Sequence, residues 1–152
     1  EAEGVEVGEA GVRGAAAAVV PKSWALRRGC RRRAWAVPAA AVVSLYGAGL
    51  EAKPDDVPEI KRGLDYLAPY KPERGARVRY SHYYYGHYYA VQAMWHAGGD
   101  RFGEWYEALR DDLVERQAAN GSWEDPFGAE YATAMATLAL QMPKNSLPIF
   151  ER

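Results

Sequence analysis

Cysteine is nearly absent from this chain, and that limits its chemistry at once. Cys30 is the single cysteine among 152 residues, so no disulfide can close within the chain and no zinc site built from several thiolates can form. Long apolar runs are missing as well. The stretch "GAAAAVVP" falls far short of the roughly 20 residues that span a bilayer, and its flanks do not make a secretory signal, so no membrane span is expected. Net charge is equally scarce: 19 Lys and Arg against 20 Asp and Glu leave −1, which gives no global pull toward nucleic acid or an anionic membrane. Methionine first occurs at Met94 and the chain opens on Glu1, from which we expect a fragment or processed form of a longer protein. Localisation stays open.

Acidic residues are lacking in one region. None stands between Glu9 and Glu51, whereas Arg13, Lys22, Arg27, Arg28, Arg31, Arg32 and Arg33 all do. A phosphate or nucleic-acid patch would need an aromatic or glycine pattern that is not there, so nucleic acid is not expected as a partner. Solvated charge is the plainer reading. Part of residues 14 to 34, rich in Ala, Arg, Gly, Trp and Cys, also reads as out-of-frame translation of a GC-rich gene, and the two readings stand side by side. Residues 1–35 are therefore left as a poorly defined basic segment.

From Pro38 onward the chain is helical and well punctuated. "PAAAVVSLYGAG" opens with proline and closes at Gly47 and Gly49. Asp56 and Glu59 have capping-box spacing ahead of the stripe Val57, Ile60, Leu64 and Leu67. A third helix is expected over about Tyr84 to Ala97, ending at Gly98 and Gly99. Asp100 is placed to cap a fourth, whose apolar face is Phe102, Trp105, Tyr106, Leu109, Leu113 and Val114. The fifth, "YATAMATLALQM", is small and apolar nearly all round until Pro143, as in a helix buried on most sides. Buried and amphipathic helices thus alternate, which predicts an all-α architecture of stacked helix pairs, a solenoid or closed toroid.

A repeat strengthens this. Shifting "ERQAANGSW" back by 46 residues over "RGLDYLAPYKPERGAR" sets Leu113 on Leu67, Gln117 on Lys71, Gly121 on Gly75 and Trp123 on Arg77. A glutamine at a helix end can bond orphan backbone groups, glycine permits the reversal, and tryptophan fills the gap between outer helices. The later copy, with Leu113, Gln117, Gly121 and Trp123, resembles the glutamine-tryptophan repeat of terpenoid cyclases and protein prenyltransferases. Arg62, Gly63, Tyr66 and Leu67 fit the first half of that pattern, and Gly75 its glycine, although Lys71 and Arg77 replace the Gln and Trp. Residues 36–152, with "YYYGHYYAVQAMWHAGG" and "SLPIFER", look like the C-terminal part of a squalene-cyclase-like, prenyltransferase-repeat protein of bacteria.

The resemblance implies a partial α/α toroid of antiparallel inner and outer helix pairs, the rest of the ring lying outside this chain. It also implies isoprenoid cyclisation or prenyl transfer for a full-length protein. The initiating Asp-x-Asp-Asp motif of the bacterial cyclases is missing here, since Asp55 with Asp56 and Asp111 with Asp112 lack the earlier aspartate and fall on predicted helix surfaces. The prenyltransferase zinc set of Asp, Cys and His is not expected either, because Cys30 has no histidine near it. No catalytic residue, metal or cofactor is therefore assigned. Tyr84, Tyr85, Tyr88, Tyr89 and Trp95 are the candidates for a cavity wall that holds an isoprenoid or other hydrophobic ligand by its aromatic faces. The plainer alternative makes them packing between inner and outer helices. His82 and His87, five residues apart, stand about 140° apart around a helix and suit polar lining better than a metal. The competing class is a non-catalytic toroid that binds peptide, lipid or glycan.

Overall fold

The structure is a computed structural model that describes residues 35–48, 54–73 and 82–144. The basic segment, Cys30, Gly75, Arg77 and the tail after Lys144 lie outside the described residues. The described residues form five α-helices and no strand: α1 (Ala36–Gly47), α2 (Pro58–Leu67), α3 (Tyr83–Ala97), α4 (Gly99–Arg116) and α5 (Ala129–Leu140). Single 3-10 turns occupy Pro54–Asp56, Ala68–Tyr70 and Met142–Lys144.

Helix ends follow backbone constraints more than side-chain caps. α1 begins two residues before Pro38, which costs nothing because the first-turn N–H groups have no intrahelical partner. α2 starts at Pro58 behind an extended Val57, as a residue before proline prefers, and no side chain caps it. The expected capping box thus gives way to proline, and Asp56 is an exposed member of the preceding turn. Asp100 does not cap α4 either. Gly98 occupies the N-cap and Asp100 stands in the first turn, where its charge favours the helix dipole.

α3 is the centre of the packing, in contact with α1, α4 and α5, while α2 leans on α1. Two glycines set how closely these helices approach. A Cβ on Gly86 would come within 2.1 Å of the Trp35 ring, and one on Gly63 within 2.3 Å of Val42 Cγ2. Trp35, just ahead of α1, meets His87 near the start of α3 (centroids 4.8 Å) and stacks on Tyr70 after α2 (5.2 Å). At the other ends of α1 and α3, Tyr46 stacks on His96 at 4.9 Å. The start of α4 meets the end of α3 through Phe102 and Trp95, at 4.9 Å.

Two expectations about faces change. Val114 is 61% exposed, and the α4 residue buried in its place is Asp112. α5 buries only Ala132, Ala136 and Ala139 and exposes Ala134 and Thr137, because among the described residues nothing covers the side turned away from α3. If close approach matters at the two glycines, Gly86→Ala and Gly63→Ala should each lower stability by about 1–3 kcal/mol through overpacking. Gly47→Ala, with open space at its Cβ, should stay near wild type. Urea unfolding of the three variants measures this, and an unperturbed Gly86→Ala would contradict the Trp35 contact.

Candidate functional site

A helix turns about 200° over two residues, so positions i and i+2 face opposite sides. On α3 this separates two sets of aromatics. Tyr83 and His87 point to α4, where Tyr83 bonds Asp112 and His87 lies 6.0 Å from the Trp105 ring. Tyr85 and Tyr89, each two residues on, therefore stand on the side away from α4, joined by Tyr88. All three are half-buried. Tyr85 meets Tyr89 edge to face at 4.8 Å, and Tyr88 meets Tyr89 at 5.0 Å.

Residues after α4 extend this face. Tyr131 of α5 interacts with Tyr85, and its hydroxyl pKa is raised by burial, with Asp125 and Tyr85 adding to the effect. Exposed Phe127 sets its ring edge-on to Tyr131 at 6.0 Å and stacks on His82 at 5.3 Å. His82 holds a left-handed φ of 58° at the α3 N-cap, and its carbonyl accepts from the Gly86 N–H. Tyr131 carried no repeat or spacing signal that singled it out.

The five cavity candidates do not stay together. Tyr85, Tyr88 and Tyr89 form the face just described. Tyr84 is buried against Tyr83 (5.1 Å, edge to face) and belongs to the core. Trp95, two turns on, packs on Phe102, which in turn stacks on Tyr106 at 5.5 Å. The two histidines are also apart, His82 exposed and His87 fully buried. No group of three or more His, Cys, Asp or Glu among the described residues could hold a metal ion.

Polar groups are buried on the α4 side of α3. The Tyr83 hydroxyl and Arg116 Nε (2.7 Å) both donate to Asp112 Oδ2, and the guanidinium sits 4.6 Å over the Tyr83 ring. Asp112 is therefore not the surface residue its neighbour Asp111 suggested: it is 4% exposed, and its charge is tolerated because it is paired and bonded. Burial and then the Asp112 bond push the Tyr83 hydroxyl well above the usual tyrosine range. Burial, aided by Arg116, lowers the His87 pKa to about 3, and neither ring nitrogen has a partner.

The repeat residues have structural partners. The Trp123 indole N–H donates to the Leu113 carbonyl at 2.7 Å, occupying an acceptor that the last turn of α4 leaves without a helical donor. The Trp123 backbone N–H donates to Thr133 Oγ1 at 3.1 Å. Gln117 Nε2 donates to the Gly121 carbonyl at 2.9 Å, and Gly121 reverses the chain at φ 85°. In the earlier copy Arg62 pairs with Glu59 (2.7 Å), Gly63 admits Val42, Tyr66 neighbours Tyr70, and Leu67 is fully buried. Lys71, at the glutamine position, instead pairs with Glu104 of α4 at 2.9 Å. A separate open groove of about 730 Å³ runs beside the far side of α5, lined by Thr133, Ala134, Thr137 and Leu138 with Asn120 and Ser122.

The chain matches no protein-family model, no curated protein and no solved structure.

Trp123→Ala should cost about 3–5 kcal/mol as a core truncation. Trp123→Phe, which keeps a ring but loses the indole donor, should cost about 1–3 kcal/mol. Urea unfolding separates the two, and a Trp123→Ala protein within 1 kcal/mol of wild type (about one tenth of a typical stability) would contradict this packing. His87 supplies a pH test. Its folded pKa is depressed, so the unfolded chain binds the extra proton and stability falls as pH drops below about 6.5. Between pH 7 and 5 wild type should lose about 2 kcal/mol more than His87→Phe. Equal pH slopes for the two proteins would show that His87 is not held neutral.

Proposed function

We propose that this chain is part of the wall of an α/α toroid whose tyrosine face holds an isoprenoid or other hydrophobic ligand. The observation that carries the reading is the position of Tyr85, Tyr88 and Tyr89, half-buried on the side of α3 turned away from α4. In a toroid that side of an inner helix faces the central cavity.

The contact order supports the same arrangement. α1 meets α3 start to start at Trp35 and end to end at Tyr46 and His96, while Tyr131 near the start of α5 meets Tyr85 near the start of α3. α1, α3 and α5 then run the same way as an inner layer. α4 meets α3 start to end at Phe102 and end to start at Asp112, and Tyr70 after α2 returns to Trp35 before α1. This order supports reading them as the antiparallel inner and outer pairs that the resemblance implies, with α2 and α4 outside. The groove beside α5 falls where the next outer helix would stand.

In this reading the chain supplies aromatic wall and not the initiating acid. Tyrosine faces stabilise apolar or cationic ligands by dispersion and ring electrostatics. Replacing Tyr85 and Tyr89 with leucine should remove contacts worth about 0.5–2 kcal/mol each while changing side-chain volume little. Titration of the protein with squalene, wild type against the double variant, should show weakened binding at unchanged thermal stability. No binding by wild type, or equal binding by both, would leave the tyrosines as packing.

A further inference from the structure

The groove beside α5 is lined by several polar side chains, yet little of their polarity is left for an occupant. Thr137 Oγ1 donates to the Thr133 carbonyl at 2.7 Å, Thr133 Oγ1 accepts from the Trp123 backbone N–H, and Ser122 Oγ donates to Asn120 Oδ1 at 2.7 Å. With these bonds directed back into the chain, the wall offers threonine methyl groups, Ala129, Ala134 and Leu138. Apolar surface of this kind gains by being covered.

One end of the groove is charged. Glu130 is exposed there and is in no ion pair among the described residues. Between Gln117 and Pro143 the chain has no Lys, Arg or His to neutralise it. A second copy of this surface would bring no cation to Glu130. The fitting occupant is a short apolar segment followed by a positive charge.

The chain carries such a segment. The described residues end at Lys144, directly after α5, and the sequence continues as "NSLPIFER", residues 145–152. Leu147, Pro148, Ile149 and Phe150 are apolar, and Arg152 follows. Pro148 disfavours helical backbone at Leu147 and so favours an extended course. Side chains of an extended segment alternate, which sets Phe150 and Arg152 on one side and Glu151 on the other. The length also fits. The return from Lys144 to Glu130, past one 3-10 turn and along most of α5, covers about 21–24 Å, and eight extended residues reach about 26–29 Å.

We infer that residues 145–152 dock in the groove as an extended segment running back along α5, with Phe150 over Ala134 and Arg152 paired with Glu130. The docked tail takes the position that the toroid reading gives to the next outer helix, and it makes no use of the tyrosine face.

Disulfide trapping in the full chain tests this, with Cys30→Ser removing the native thiol. Thr137→Cys, at an exposed position, is paired with Pro148→Cys and oxidised with diamide. An intrachain bridge should close about tenfold faster in buffer than in 8 M urea, where only the tether brings the thiols together. Adding Phe150→Ser should slow closure in buffer about tenfold and leave the rate in urea unchanged. Glu130→Lys should slow it about two- to fivefold, and Glu130→Lys with Arg152→Glu should restore it. Equal rates in buffer and urea, or indifference to Phe150→Ser, would overturn the docking. Indifference to the charge reversal would overturn the register that pairs Arg152 with Glu130. Disulfide-linked dimers as the main product would put a second copy's tail in the groove and overturn docking within one chain.

Discussion

A column of four aromatic rings crosses this structure, and the helices are arranged around it. Tyr70 after α2 stacks on Trp35 before α1, Trp35 meets His87 of α3, and His87 meets Trp105 of α4. The column closes only because Gly86 has no side chain, so that the six-membered ring of Trp35 can lie directly against the α3 backbone. Any larger residue at Gly86 would move α1 away from α3 and open the column at its middle. The rings bury large apolar areas and interlock four segments distant in sequence, so their dispersion contacts are made together or not at all.

The same helix that completes this column turns two different surfaces to its surroundings. Toward α4 it buries Tyr83 with the Asp112 and Arg116 pair, a charge cluster that is tolerable because each member satisfies another. On the opposite side it carries Tyr85, Tyr88 and Tyr89, whose rings contact one another and stay half-buried. Among the described residues α4 covers the Tyr83 side, whereas on the Tyr85 side only Tyr131 of α5 reaches the rings.

Much of the architecture was legible in the pattern of apolar residues and glycines. Gly98 and Gly99 marked the junction of α3 and α4, and the Ile60, Leu64 and Leu67 stripe marked the buried side of α2. Gln117, Gly121 and Trp123 were visible because a motif fixes their spacing. What escaped depends on partners far away in sequence. Asp112 looks like a surface residue until Tyr83, 29 residues earlier, is brought beside it. Tyr131 has no local periodicity that separates it from filler, and its place beside Tyr85 comes only from the packing of α5. Capping residues misled for a simpler reason: proline at the start of α2 and glycine before α4 determine where those helices begin, whatever carboxylates stand nearby.

Trp123 joins two helices by means other than the main chain. Its indole bonds the last turn of α4 and its backbone N–H bonds Thr133 in α5, while the polypeptide between those helices takes the longer route through Gly121 and Pro126. A pulling force applied to α5 would therefore reach α4 through the side chain first, leaving the loop slack under small loads. Parting of either bond would release the slack on its own side of Trp123, so this tryptophan is a mechanical clasp between successive helices only while both hold.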